Sequence, residues 1–492
     1  MKRGAGAFAL LFLAAAACRT EPVPFRVAIH SAPVGWDPHL QNESLTSALL
    51  ANLYNGLTEY DEELRLRPAL ASSWTNPDER TWVFAIRPSV RFHDGRPLEA
   101  RDVVASLERA RRVEGSGLSS YLVEVESVRA ADAATVVVTT FRPFAALLSK
   151  LSMVSIVPRD SPERIRAPIG TGSYRLVRAD GARIEMAAAT HGWRDGRPPA
   201  PLVFVVAPDP RERLRLLLAG EVDVAADLDE AAARALASSP CCAVLVRPGT
   251  TVEYLHLADG VAPFRDPRVR EAVSLAIDRP AYVREAHGGM GRPVGQVAVP
   301  GVFGYAPDLV PPPRDLARAR ALLSEAGWPD GFEVELEHRP GRRADVLAAQ
   351  LAGAGIRARP REVPWPDLYA RLRRGEVGFY FGGLVSPTAD ASDFLDGYAH
   401  TRNEARGYGA SNHGRYSSPR ADALVEEASA CFDLAARKGL LQEAMRVVAA
   451  DAHFVPVAGL DQVFGAKRGV AFRPRLVLKL LGRDIAQGPA GR

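Results

Sequence analysis

Cysteine is scarce, with four in 492 residues, and Cys18, Cys241, Cys242 and Cys431 are too few for a disulfide framework. Charge of one sign is also in short supply. Sixty-two Lys and Arg stand against 58 Asp and Glu, a net +4, which excludes the basic footprint of a nucleic-acid partner. No apolar run is long enough to cross a bilayer; the longest, Ala7–Ala17, falls well short of the roughly 20 residues required. Gly-x-Ser-x-Gly, His-Glu-x-x-His and Walker patterns are missing, and the ten histidines form no ligand-spaced pair. The sequence therefore specifies no hydrolase nucleophile, zinc centre or phosphate loop, and the expectation is no enzyme, no cofactor and no protein-built metal site. It also carries no internal repeat, coiled coil or low-complexity tract.

What is present is enough apolar material for several cores: 47% hydrophobic against 24% charged residues, a length and balance that suit two or three soluble domains. Lys2 and Arg3 precede the Ala7–Ala17 run, the pattern of a secretory signal, so the mature chain is expected outside the cytoplasm. Ala15-Ala16-Ala17 before Cys18 resembles a lipobox, in which the thiol is acylated and becomes the new amino terminus; plain cleavage after Ala17 is the alternative. Cys241-Cys242 reads as a pair of small buried residues, with metal ligation or a vicinal disulfide as the alternatives.

The chain is organised around Thr250–Arg279. Residues Thr251–Leu257 alternate with β-branched and aromatic types, the pattern of a strand. Asp266 then suits an N-cap and Pro267 the first helical position, and Val269, Ala272, Val273, Ala276 and Ile277 recur at helical spacing. Elsewhere short strands alternate with helices. Strands are expected at Phe25–His30, Thr81–Ile86, Thr135–Thr139, Leu202–Val206, Phe332–Glu337 and Ile356–Val363. Helices are expected over Leu45–Leu57, Asp102–Ala110, Pro210–Leu218, Asp315–Ala326 and Val346–Gly355. This is an α/β pattern. His93-Asp94 reads as part of a turn rather than an acid/base pair. Gly170 and Gly172 lack the third glycine and Lys-Ser/Thr of a phosphate cradle, and read as glycines that permit tight backbone turns.

Pro263-Phe-Arg-Asp-Pro-Arg-Val-Arg-Glu-Ala-Val-Ser-Leu-Ala-Ile-Asp-Arg279 resembles the segment that opens the second lobe in family 5 extracellular solute-binding proteins. Further resemblances run through Ser31–His39, Tyr54–Leu57 with Tyr60-Asp61, Phe92–Leu107, Pro168–Val177, Trp193–Pro198, Glu221–Ala225, Asp315–Trp328 and Phe454–Gly459. The resemblance implies a two-lobed periplasmic-binding-protein fold, class II-like, with an extra subdomain in lobe one and two crossing segments near Leu255–Ala258 and Val455–Ala458. The implied division is 1–18 signal peptide, 25–44 lobe one, 45–167 subdomain, 168–257 lobe one, 258–450 lobe two and 451–492 lobe one. It also implies a monomer, anchored by lipid at Cys18, that captures a small-molecule or peptide-like ligand for the permease of an ABC transporter. A ligand sensor or chaperone-like receptor of the same fold is the alternative.

The resemblance also places a binding surface. Ser31, Ala32, Pro33 and Val34 fall on the expected cleft floor, and Trp365 at a cleft-facing Trp. Gly383–Leu395 matches a segment in which peptide binders carry a Trp and, three residues on, an Asp for the ligand ammonium. Here those positions are Leu384 and Pro387, with Val385, Ser386 and Thr388 beside them, and Asp390 or Asp393 as replacement carboxylates. Asn412 is expected to face the pocket, and Tyr416 and Asp422 to hold the fold. An ammonium enclosed without a carboxylate is costly, so the departure points away from ordinary peptides.

Overall fold

A computed structural model of the chain describes residues 23–194, 200–477 and 479–487. The signal segment with Cys18, and residues 195–198 of the Trp193–Pro198 motif, lie outside the described residues.

An eleven-stranded sheet runs through both lobes. In lobe one, Phe25–Ile29 pairs in parallel with Leu202–Val206 and Val224–Ala225, and Arg183–Ala188 and Tyr174–Ala179 extend the edge antiparallel. In lobe two, Phe332–His338 lies parallel to Ile356–Glu362 and Phe379–Val385. Two long antiparallel strands, Cys242–Leu257 and Phe454–Lys467, belong to both halves. Their register runs from Cys242↔Lys467 to Pro248↔Asp461, breaks, and resumes at Val252↔Gly459. Pro248 has no N–H for the ladder, and a Cβ on Gly249 would stand 2.9 Å from the Leu460 carbonyl oxygen. A second register shift follows between Glu253↔Ala458 and Tyr254↔Pro456, beside the Leu255–Ala258 and Val455–Ala458 positions expected from sequence. The expected Thr251–Leu257 strand is the second half of a longer one, because Pro248-Gly249 interrupts the alternation without ending the strand.

Period-two alternation gives lobe two a core on each face of its sheet. Val252, Tyr254 and Tyr380 join one cluster, and Leu255, Leu257, Phe379 and Phe381 the other. The helix Pro267–Ala276 is capped by the Asp266 carboxylate, which accepts from Arg268 N–H, and buries Val269, Ala272, Val273 and Ala276 in the second cluster.

Within 45–167, the antiparallel sheet Ala71–Asp78, Thr81–Ile86, Thr135–Thr140, Val125–Ala130 packs on helix Ala100–Arg112. His93 is fixed there: its Nε2 lies 3.0 Å from the Gly172 carbonyl, and Gly170 N–H donates to Nδ1 at 3.3 Å. Asp94 pairs with Arg96 at 2.8 Å around Gly95, whose φ is +89°. The two glycines at 170 and 172 are needed for close approach rather than for tight turns. Neither has positive φ, but a Cβ would stand 2.1 Å from Leu53 O at the first and 2.2 Å from Asn52 O at the second. Of the cysteine pair only Cys242 is buried; Cys241 is exposed, with its Sγ 3.3 Å from that of Cys242 and both thiols free.

Candidate ligand-binding site

Between the lobes lies a chamber of about 570 Å³. Tyr121, Phe144 and Lys150 form its subdomain wall, and Tyr254, Tyr369, Tyr380, Tyr398 and Tyr408 face them from lobe two with Trp365. A smaller chamber of about 110 Å³ adjoins it, sharing Asn42, Ser44, Val385 and Pro387.

Strand pleating directs the aromatic wall. Tyr254 pairs in register with Gly382, and the pleat puts its ring edge-on to that of Tyr380 at 6.3 Å. Trp365 stands at the first position of helix Trp365–Arg374, 40% exposed, with its ring 5.4 Å from Tyr369 one turn later. The Arg339 guanidinium lies over the Trp365 ring at 5.3 Å. Such faces favour flat or apolar ligand groups, at about 0.5–1.5 kcal/mol per aromatic pair beyond area burial.

The charged part of the wall is paired within the protein. Lys150 Nζ lies 3.1 Å from Asp393 and 3.5 Å from Asp396, joining the subdomain to lobe two. Burial alone would lower the Lys150 ammonium, but Asp393, Asp396 and Asp390 hold it above its ordinary range. Burial pushes the Asp396 carboxyl up to about 6, with Lys150 opposing. Asp393 also accepts from Thr388 N–H at 3.0 Å and Thr388 Oγ1–H at 2.7 Å. Asp390 is gripped by Arg437 at 2.7 and 3.1 Å, both side chains buried, and accepts from Ser392 N–H at 2.9 Å. Burial would raise the Asp390 carboxyl; Arg437 holds it below its ordinary range.

Of the residues singled out from sequence, the structure brings Trp365, Leu384, Val385 and Pro387 to the large chamber. Ser386 and Thr388 lie beneath that wall, 3% and 0% exposed, with Ser386 N–H donating to Thr250 O. Ser31, Ala32, Pro33 and Val34 reach neither chamber. Val34 N–H donates to Thr46 Oγ1 at 3.0 Å while its side chain is solvent-exposed. Asn412 is buried with its amide used internally: Nδ2 donates to His400 O and Tyr416 O, and Oδ1 accepts from Tyr416 N–H. It closes a loop and does not face the chamber. Tyr416 O–H donates to Asp451 at 2.6 Å, and Asp422 accepts from Thr401 N–H at 2.9 Å. Sequence reasoning missed Lys150, Tyr121, Tyr254, Tyr380, Tyr398 and Tyr408. Only Tyr254 had a local signal, its place in the alternating strand; the others are contributed by separate segments with no shared motif.

Two lobes sharing two long strands, with an aromatic chamber closed between them, define a two-lobed solute-binding protein. The chain belongs to family 5 of these proteins: the family described as Bacterial extracellular solute-binding proteins, family 5 Middle, matches residues 65–406. Among its relatives is Heme-binding protein A of Haemophilus influenzae, 27% identical and covering 87% of this chain and 85% of that protein. The probable di/tripeptide-binding protein 5 of Pseudomonas aeruginosa is 28% identical, covering 88% and 89%. The ABC transporter-associated periplasmic binding protein DppA of Helicobacter pylori, in complex with the peptide STSA, shares the fold with a TM-score of 0.83 at 23% identity, covering 95% of this chain and 98% of that one.

Proposed function

We propose that this chain is the solute-capturing component of an ABC importer, closing its lobes on a small peptide-like or other solute and presenting it to the permease. The observation that carries the reading is the aromatic chamber enclosed between lobes joined through two long strands with register shifts, an arrangement that permits hinge closure. In this reading 258–450 moves against the rest together with the strand ends Val252–Leu257 and Phe454–Ala458 that share its cores. Relatives named for binding heme and di- or tripeptides support a solute role while leaving the solute open.

The wall argues for a ligand without a free amino terminus. Leu384 and Pro387 offer no carboxylate, Asp390 is held by Arg437, Asp393 by Lys150 and Thr388, and Glu124 by Arg142, while Glu43 spends its oxygens on the N–H groups of Leu45 and Thr46. Asp396, 3.5 Å from Lys150 with one oxygen unpartnered, is the least tightly held, but its carboxyl is pushed up to about 6. An enclosed ammonium would lose hydration worth several kcal/mol and find no fully ionised carboxylate that is not already held by the protein. Calorimetric titration with a randomised peptide pool is expected to show weak binding, little changed when the amino termini are acetylated. Sub-micromolar binding that acetylation abolishes would overturn this reading of the ligand.

The same proposal has the protein exported, monomeric and held to a membrane by lipid on Cys18. Two or three acyl chains, at ~0.8 kcal/mol per buried CH₂, suffice for stable anchoring. Cys18→Ser is expected to move the protein from the membrane fraction to the soluble fraction with ligand binding intact; retention on membranes would count against the anchor.

A further inference from the structure

The smaller chamber ends in a surplus of positive charge. Lys479 and Arg483 both line it, and Glu59 is the single carboxylate among its lining residues. Glu59 is already committed: Arg194 grips its two oxygens at 2.8 and 2.7 Å, and Arg483 reaches it at 3.3 Å. Arg475, the next cation, is held by Asp484 at 2.9 Å. The arginines around Lys479 have carboxylates on their outer side, Asp484 and Glu59 in ion pairs and Glu62 nearby, whereas among the described residues Lys479 itself takes part in no ion pair. A second polar group in this chamber is also unmatched, because the buried Gln41 Oε1 has no hydrogen-bond partner. Buried polar groups are nearly always paired, so the Gln41 oxygen is an anomaly, and beside it stands the half-buried Lys479 ammonium with no countercharge of its own. A chamber that keeps both is shaped for something that arrives from outside.

We propose that the Lys479 chamber is the subsite for a carboxylate of the ligand, which seats its anionic end against Lys479 and Arg483 and extends its remaining body past Val385 and Pro387 into the aromatic chamber. This inference rests on the solute-capture reading and narrows it, to a solute that is acidic at one end and flat or apolar at the other. Tyr54 and Tyr60 line the same chamber. The protonation balance agrees. Burial pushes the Lys479 ammonium down to about 8; Glu59 opposes this, and Arg475, Arg483 and Arg194 add to it. A bound carboxylate supplies the missing countercharge and holds the proton on, so anion binding is strongest below about pH 8 and fades above it.

The test uses the full chain with sodium benzoate as probe and benzamide as its uncharged counterpart, read by thermal melting. Benzoate is expected to raise the melting temperature saturably at pH 7 and several-fold less at pH 9.5, while benzamide has no effect. Lys479→Met is expected to abolish the response and Lys479→Arg to keep it. Without probe, Lys479→Met is expected to melt no lower than wild type, since it removes a half-buried cation crowded by Arg475, Arg483 and Arg194; a lysine of merely structural value would show the reverse. A benzoate response absent from wild type, shared equally by benzamide or by Lys479→Met, or unchanged between pH 7 and 9.5 overturns the inference. Should Lys479→Met fail to fold, the arginine variant and the pH series decide alone. A chain that compacts on a natural solute yet ignores benzoate would sink this subsite and leave the solute-capture reading standing.

Discussion

At the scale of single residues, the chamber wall shows how much of its charge serves the closed lobes rather than a ligand. Asp396 is the expensive member. Its Oδ1 is buried without a partner, and its other oxygen meets Lys150 only at 3.5 Å, while Asp393 stands closer. Its carboxyl is pushed up to about 6 from an ordinary 3.8. Between those values the folded chain holds a proton that the unfolded chain has released, so stability falls as pH rises through this window and the penalty is complete above it. Asp396→Asn, neutral throughout, is expected to exceed wild type in stability at pH 8 by on the order of 1–3 kcal/mol, the advantage shrinking toward zero near pH 4. Urea unfolding at pH 4, 6 and 8 reads this directly. A variant less stable than wild type at pH 8 would mean that Lys150 needs both carboxylates.

At the scale of elements, the close approach of Pro168–Tyr174 to the segment after helix Ser44–Leu50 is what sets the subdomain on lobe one. Gly172 N–H donates to Leu53 O at 2.9 Å and Tyr174 N–H to Asn52 O at 3.0 Å, with His93 closing the other side. A methyl group at 172 would meet Asn52 O at 2.2 Å, backbone that cannot step aside without breaking both bonds. Gly172→Ala is expected to cost roughly 1–3 kcal/mol, visible as a lowered melting temperature. An unchanged melt would show that the two segments do not pack this closely. The glycine pair was conspicuous in the sequence, but the reason for it was not: proximity to a carbonyl over a hundred residues away leaves no local pattern.

At the scale of the whole molecule, the proposed closure puts its hinge at the two register shifts of the long strands, Pro248–Val252 against Gly459–Asp461 and Glu253–Tyr254 against Pro456–Ala458. Contacts that close the lobes include Lys150 with Asp393 and Asp396, Ala145 N–H donating to Ser429 O at 2.7 Å, Trp82 against Phe432 at 5.7 Å between ring centres, and Tyr60 and Leu64 packed on Ala389. Small-angle scattering is expected to show a smaller radius of gyration with saturating natural solute than without. An unchanged radius would argue against hinge closure.

The sequence by itself determined those features whose cause is local. Alternation in Thr251–Leu257, the Asp266-Pro267 start of a helix and the apolar stripe behind it are written in adjacent residues, because strand pleat and helix turn repeat over two and 3.6 positions. The motifs along the chain carried the two-lobed class in the same way, and the departures at Leu384 and Pro387 were legible once the segment was aligned. Tertiary structure alone decided the rest. It turned Asn412 inward and left Ser31–Val34 off the chamber, since hydrogen bonds to distant backbone fix both. It paired Asp390 with Arg437 and brought Lys150 to Asp393 across 243 positions of chain. Which charges cancel, and which one is left for a ligand, depends on distances through folded space that no spacing in the sequence encodes.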